Sequence, residues 1–365
     1  MSELLKTPLH EEHVRNKAKM VEFAGWEMPL QYTSIIEEVK TVRTDVGIFD
    51  VSHMGEIFIH GPDAIAFVDY LIPNDFASIS FGHALYSPMC NEKGGIIDDL
   101  IAYKVDSETA YLIVNAANKD KDFDWIKTWA KKFNVEVHDK SMEYGLIAIQ
   151  GPKAEEKLQE ITDVALKKIG FYELTQSRIR GVKGTLSRTG YTGEDGFEFL
   201  VEWDAAVTVW RTLKEYGMKP AGLGARDLLR LEASYLLYGN DMDENTNPIE
   251  AGLSWTVKLD KGDFIGKEAI MRVKDKGITR KLVGLILEGR NIARHGYKIL
   301  KDGEEVGFIT SGSYSPTLEK SIALGYVKKD IAKKDTELEI ELRKKTVKAQ
   351  VVKLPFYRGS VKSHK

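Results

Sequence analysis

Two distant stretches of the 365-residue chain share one grammar. Residues 57–71 (IFIHGPDAIAFVDYL) and 146–161 (LIAIQGPKAEEKLQEI) each run apolar strand, polar residue, Gly-Pro, then helix. A proline in the first helical turn lacks only an N–H that the helix could not have used, so Gly-Pro is a sound switch from strand to helix. Ala64, Phe67, Val68 and Leu71 give the first helix an apolar stripe, and Ala154, Leu158 and Ile161 do so for the second. The sequels are parallel too. Strands at 84–90, 96–105 and 111–115, joined by the turn-like NEKGG and DSET, lead to a helix striped by Ile126, Trp129, Ala130 and Phe133. Strands at 184–188 and 196–202 lead to another, with Asp204 as the expected N-cap and Ala206, Val209, Trp210 and Leu213 on one face. The pattern is that of a duplicated α+β unit.

A different period takes over at Arg280. Short β runs (KLVGLIL, GYKIL, EEVGFIT, SIALGYV, ELEIEL, KAQVV), evenly spaced and separated by turns such as KDGE, predict a separate all-β sandwich or barrel. A chain of this length exceeds the size at which one hydrophobic core keeps growing, which agrees with several domains.

Composition excludes several classes. With 43% hydrophobic and 29% charged residues there is no room for a long disordered tract. Lys and Arg number 52 against 55 Asp and Glu, a net charge of −3, so no general attraction to nucleic acid or anionic membrane is expected. The basic run around Lys344 and Lys345 reads as a solvated face. A single cysteine, Cys90, rules out an intrachain disulfide framework and reads as a small buried hydrophobe rather than a nucleophile. The N-terminal MSELLKTPLHEEH has neither the apolar core of a signal peptide nor the composition of a transit peptide, and no stretch approaches about eighteen apolar residues. The expected location is cytoplasmic.

Familiar signatures fail on a residue their chemistry requires. HEEH at 10–13 spaces its imidazoles one residue too closely for a zinc-protease helix and reads as a polar surface helix. GDFIGKE lacks the loop length and the Ser/Thr of a P-loop, and GLGARD lacks the third glycine of a dinucleotide fingerprint. SGSYS is not a nucleophile elbow. No metal, NAD or flavin is therefore expected.

Three segments place polar residues where a core would not want them. In GGIIDDLIAYKV, alternation puts Asp99, Ile101 and Tyr103 on one face of a strand and Asp98, Leu100 and Ala102 on the other. A carboxylate on an inward face requires a partner. A strand-end aspartate satisfied by the Gly94 and Gly95 amides is the competing reading, and spacing alone does not choose. RTGYTGEDGFEF alternates Phe197 and Phe199 against Glu198, and its three glycines permit close backbone approach to a flat ligand beside Tyr191, or simply a mobile hairpin. In GLGARDLLRLEASYLLYG, a helix predicted over 225–238 carries Arg226 at its start and Tyr235 well inside. Arginine is the natural bidentate partner of a carboxylate, though a solvated helix end is the plainer alternative. Arg358 in PFYRG follows the last strand as a surface residue.

Taken in order, FAGWEMPLQY, GIFDVSHMGE, GGIIDDL, SRTGYTGEDGFE, AGLGARDLLRLE, GNDMDENTNPIEAGLSW and PFYRGS resemble the glycine cleavage T-protein family across essentially the whole chain. KGDFIGKEA is similar as well, where relatives acting on iron–sulfur assembly or tRNA carry a cysteine-containing version. The resemblance implies a three-domain cloverleaf of two related α+β domains and a C-terminal all-β barrel or jelly-roll-like domain. Its expected divisions are 1–52 with 143–255 as a discontinuous folate-binding domain, 53–142 as an inserted domain, 256–279 as a linker and 280–365 as the barrel. It further implies tetrahydrofolate as co-substrate and the lipoylated H-protein as partner. The reaction would move a methylene carbon from the aminomethyl-lipoyl arm to folate, releasing ammonia.

Carried over by position, Asp99 resembles the catalytic carboxylate and Arg226 its companion at the folate. Glu198 would accept from the aminopyrimidine edge. Met54, Tyr86, Tyr103, Tyr172, Tyr191 and Tyr235 would form the walls, with Asn115 and Arg358 at further folate positions. The alternatives are a folate-binding accessory protein without transferase activity and a relative of the demethylating dehydrogenases. The cysteine signature of the first and the flavin domain of the second are missing from this sequence.

Overall fold

The computed structural model describes residues 3–343 and 345–362, so Lys344 of the basic run lies outside the described residues. Two α+β layers and a barrel are built from three sheets, with a separate N-terminal hairpin, Lys19–Phe23 against Trp26–Gln31.

The first Gly-Pro segment belongs to a five-stranded antiparallel sheet in the order His83–Cys90, Ile96–Lys104, Thr109–Val114, Gly55–His60, Glu136–Asp139. The second belongs to a six-stranded sheet in the order Leu174–Ile179, Val182–Ser187, Gly196–Glu202, Tyr144–Gln150, Gly47–Asp50, Lys219–Pro220, antiparallel except for the last pair. At the strand-to-helix switches, Gly61 and Gly151 adopt φ of 139° and 145°, a region closed to other residues. A Cβ there would lie 2.4 Å from the Asn134 carbonyl oxygen and 2.0 Å from that of Asp45, so the two switches share a mechanism.

Each sheet carries a pair of helices on its outer face. Ala64–Leu71 and Lys119–Ala130 cover the first, where Phe67, Leu71, Leu100, Ala102, Leu112 and Ile126 are buried together. Ala154–Gln159 and Ala206–Glu215 cover the second, burying Ile147, Ile149, Phe197, Phe199 and Trp210. Each such side chain contributes roughly 1.5–3 kcal/mol on burial. The opposite faces meet each other. Tyr103, Tyr111 and Ile113 from one sheet join Phe49, Leu146, Ala148 and Leu200 from the other in a shared core. Alternation along the strands therefore turns Asp99 and Glu198 toward this inner seam, away from the helices.

The helix Leu223–Glu232 closes the seam with Ala225, Leu228 and Leu229. Its far end grips the C-terminal domain, a closed six-stranded barrel in the order Arg280–Leu287, Lys320–Lys328, Glu304–Ser315, Lys298–Lys301, Glu337–Leu342, Lys345–Val352. The segment before the barrel contains a helix of its own, Lys267–Lys276, whose Ile270 is buried between the barrel and the first α+β layer.

Several local expectations change. The helix expected to run to Tyr238 ends at Glu232, because Ser234 turns left-handed (φ 63°) and the Tyr235 N–H returns to the Arg230 carbonyl at 2.8 Å. Tyr235 thus sits beyond the helix. Asp204 is not a cap: it lies exposed inside a 3-10 turn, Trp203–Ala205, and no side chain caps the following helix. The HEEH helix, His10–Arg15, is not a surface helix, since His10, Glu12 and His13 are all buried. His13 joins the Tyr32 hydroxyl at 2.8 Å to Asp50 at 2.8 Å, a pairing between distant strands that local pattern does not reveal. Burial alone would push Asp50 up, but hydrogen bonds from His13, Thr7 and Ser52 hold it down at about 2.

Candidate active site

The inner seam gathers its polar groups around Asp99. Strand pairing sets Pro88 opposite Asp99, so Tyr86 lies on the same face two residues along, and its hydroxyl donates to Asp99 Oδ2 at 2.9 Å. On the other side, continuing the Ile101–Ile113 register brings Asn115 opposite Asp99, and its Nδ2 donates to Asp99 Oδ1 at 2.9 Å. The amides of Gly94 and Gly95 go instead to Asn91. The strand-end reading of this aspartate therefore fails on bonding, and Asp99 is held by two side chains while half-buried. Burial, and next the neighbouring charge of Asp98, raise its pKa to about 7.

Asp98 points to the helix side and is fully buried. It accepts from the Asn115 backbone N–H at 3.0 Å, from Asn115 Nδ2 at 2.8 Å and from Asn118 Nδ2 at 2.7 Å.

Glu198 faces Asp99's sheet from across the seam. Thr189 donates to its Oε2 at 2.5 Å, Ser187 lies 2.8 Å from the Thr189 hydroxyl, and the Tyr103 hydroxyl reaches Thr189 at 3.5 Å. Tyr103 stacks on Tyr111 with centroids 4.4 Å apart. Tyr191 stacks on Tyr235 at 5.8 Å and gives its hydroxyl to the Leu236 carbonyl. The hydroxyls of Tyr86, Tyr103, Tyr172 and Tyr191 are all pushed up by burial, and each also senses Asp99 or Glu198. Met54 packs half-buried against the same core.

Arg226 comes from the first turn of Leu223–Glu232. Its guanidinium lies 4.8 Å above the Tyr191 ring, and its Nη1 is buried with no hydrogen-bond partner. Burial lowers its pKa while Glu198 raises it. Other buried arginines nearby are fully engaged: Arg43 with Glu194 and Glu232, Arg188 with Asp195 and Glu155, Arg230 with Asp241. Among the described residues, Arg226 is the one arginine with a buried unpartnered nitrogen. A dry, unpaired cation is costly to a fold and is poised for an acceptor from outside.

The structure thus brings Asp99, Tyr86, Tyr103, Asn115, Tyr172, Tyr191, Glu198, Arg226 and Tyr235 to one seam. Arg358 is exposed on the C-terminal tail, whose neighbours are anchored by the Tyr357 N–H on the Glu232 carbonyl and by Ser360 on Glu194. The glycines of the loop before Glu198 serve a different purpose from the one expected. A Cβ at Gly190 would lie 2.0 Å from Gln150 Oε1, at Gly193 2.8 Å from the Ala233 Cβ, and at Gly196 2.4 Å from the Ile149 carbonyl oxygen. Those clashes are with the protein, so the loop is packed and the hairpin is not mobile for want of contacts.

Sequence reasoning missed Asn118 and Asp122, which stand behind Asp98, and His53. Asn118 follows Asn115 by three residues and Asp122 follows Asn118 by four, a one-face spacing that was there to be read. His53 is buried with Nδ1 unpartnered, and burial brings its pKa down to about 4, so it is neutral beside Asp50 and Arg226. Trp255 is 58% exposed yet stacks on Tyr86 at 5.9 Å. No group of three or more His, Cys, Asp or Glu side chains that could hold a metal occurs among the described residues. No helix among them is long and apolar enough to cross a membrane.

Residues 9–261 match the family described as GCVT N-terminal domain, and residues 280–358 the glycine cleavage T-protein C-terminal barrel domain. The chain is 58% identical to a protein named aminomethyltransferase from Thermotoga maritima, covering 98% of this chain and 99% of that one. It is 47% identical to another of that name from Desulfitobacterium hafniense, covering 98% and 99%. It is similar in structure to the glycine cleavage system aminomethyltransferase T from Bartonella henselae, with a TM-score of 0.93 and 34% identity over 99% of this chain and all of that one.

Proposed function

The chain belongs to the glycine cleavage T-protein family, and from that premise we propose that the seam around Asp99 is where its folate-dependent aminomethyl transfer takes place. The activity is that of an aminomethyltransferase: the methylene carbon passes from aminomethyl-lipoyl H-protein to tetrahydrofolate, with release of ammonia and formation of 5,10-methylenetetrahydrofolate. Tetrahydrofolate is a co-substrate, and the lipoylated H-protein is the partner whose arm reaches the seam. The expected compartment is the cytoplasm.

One observation carries the assignment of the site. An acid from one sheet, an acid from the other and an unpaired arginine from the closing helix converge where no apolar core would tolerate them. Their chemistry fits a flat, polar heterocycle. Glu198, with one oxygen taken by Thr189, offers the other to the aminopyrimidine edge. Arg226 supplies its free N–H to a folate oxygen. The stacked tyrosines provide apolar walls.

Asp99 acts on the bound folate. Held on both oxygens by Tyr86 and Asn115, it can orient a folate nitrogen through a hydrogen bond, aligning N5 with the aminomethyl carbon. With a pKa near 7 it can hold or release a proton close to neutrality. In its ionised form it opposes the positive charge that develops on the carbon as ammonia departs, and that charge in turn favours the ionised form. The test is ammonia release from aminomethylated H-protein, with and without tetrahydrofolate. Folded Asp99→Asn is expected to lose roughly 10²–10⁴ in turnover. Near wild-type activity would remove Asp99 from the reaction.

A further inference from the structure

Behind Asp99 stands a second carboxyl that the reaction as described does not use. Asp122, in the helix Lys119–Ala130, is fully buried, and neither of its oxygens receives a hydrogen bond. It lies within hydrogen-bonding reach of Asp98. The two acids differ in company. Asp98 receives three N–H donors, at 2.7, 2.8 and 3.0 Å, as a carboxylate should. Asp122 receives none. Two adjacent carboxylates in a dry interior cannot both ionise, and the one without donors is the one that keeps its proton. A protonated Asp122 is also no longer an orphan, because its O–H has an acceptor in Asp98.

Asn115 joins this pair to the reaction centre. The same amide nitrogen donates to Asp98 Oδ1 at 2.8 Å and to Asp99 Oδ1 at 2.9 Å. Its orientation is therefore set from the helix side and delivered to the seam side.

We infer that Asp122 is a positioning residue for the transfer: it carries a proton shared with the Asp98 carboxylate, and the pair fixes Asn115 so that its amide holds Asp99. This rests on Asp99 acting in the seam. The preference of Asp122 for its proton is strong, as burial and next Asp98 raise its pKa to about 11. Charged and titratable groups facing the pair are few. Lys121 lies on the same helix with its Nζ on the Ile97 carbonyl at 2.6 Å, 3.2 Å from the Tyr238 hydroxyl and 3.5 Å from Glu244; Asp99, on the other face of the strand, acts on Asp122 through its charge, and Asp243 is the further acid near Tyr238.

The shared proton withdraws charge from Asp98. Without it, Asp98 confronts Asp99 as an undiluted anion and Asp99 should titrate at higher pH. An asparagine at 122 can still donate to Asp98 and carries no charge, so it should replace the protonated acid well.

The experiment compares Asp122→Asn, Asp122→Ala and Asp98→Asn in the full-length enzyme. Infrared difference spectra of wild type against Asp122→Asn at pH 8 should show the carbonyl band of a protonated carboxylic acid in the wild type only. In the H-protein assay, Asp122→Asn should keep turnover within about twofold, while Asp122→Ala should lose about ten- to a hundredfold in kcat, the scale of a displaced reacting group. The pH midpoint of kcat should rise in Asp122→Ala and fall in Asp98→Asn. No band would overturn the inference, as would an Asp122→Asn midpoint that falls as far as that of Asp98→Asn, or an Asp122→Ala enzyme with unaltered kcat and pH profile. If Asp122→Ala does not fold, the band and the Asp122→Asn profile decide alone. Activity in Asp99→Asn would instead strike at the reading on which this one stands, so the two failures are distinct.

Discussion

Arg226 and Arg230 stand one turn apart on a single helix, and they mark two regions built on opposite terms. On the barrel side, Arg230 is bound by Asp227 at 2.8 Å, the Tyr235 carbonyl at 3.2 Å, Asp241 at 2.7 Å and Ser311 at 2.9 Å. Asp241 also receives Thr310 and Ser311, so charge and hydrogen bonds close on themselves. On the seam side, Arg226 keeps a nitrogen that nothing among the described residues satisfies. A closed network holds domains together, whereas an open one waits for a molecule that comes and goes. Burial does not distinguish structure from function here; satisfaction does.

The contrast breaks most forcefully at Arg230. Replacing it with methionine strands the Asp241 carboxylate, which should cost about 3–5 kcal/mol of stability by urea denaturation. A smaller loss would mean that the junction is looser than its bonds imply. At Arg226 the expectation is the reverse. Arg226→Gln should weaken tetrahydrofolate binding about ten- to a hundredfold by calorimetry, the scale of one charge-assisted hydrogen bond. Its urea midpoint should stay level or rise, because the contact with the Tyr191 ring does not offset the buried nitrogen left without a partner; a fall comparable to that of Arg230→Met would erase the distinction.

The smallest effect concerns Asp99 and stability. Its folded pKa is raised from 3.8 to about 7, so its contribution is fully present below about pH 4 and is lost as pH rises through about 7. Asparagine suffers no such loss. Ligand-free Asp99→Asn should therefore match the wild type at about pH 4 and exceed it at about pH 8 by roughly 2 kcal/mol, given about 1.4 kcal/mol per pKa unit and partial solvent screening. Equal stability at both pH values would mean that Asp99 is not strained in the free enzyme.

Much of the seam was legible because alternation is a strict rule. Parity alone turned Asp99 away from Asp98 and Glu198 away from Phe197 and Phe199, and the apolar stripes of Ala64–Leu71 and Ala206–Glu215 told which face of each sheet was covered. What alternation cannot report is which sheet lies across the gap. The pairing of inner faces, and with it the meeting of Asp99, Glu198 and Arg226, depends on tertiary packing. Tyr235 was misplaced for a related reason: helical periodicity continues past Glu232, but the Ser234 turn and the Arg230 network end the helix there. Asp122 was passed over because an acid in a helix rich in Lys and Asp reads as solvated, and only the structure finds it dry.

The spacing of the two arginines has a mechanical corollary. A helix that slid by one turn toward its own N-terminus would exchange one for the other at the seam, seating Arg230 over Tyr191 and carrying Arg226 beyond it. What forbids the exchange is the barrel's hold on the trailing end, where Ser315 and Thr317 clasp Glu232 at 2.5 and 2.9 Å and Ser311 clasps Arg230. The C-terminal domain thus serves as a latch on a ratchet. Through that latch, residues remote from the seam decide which cation is presented to it.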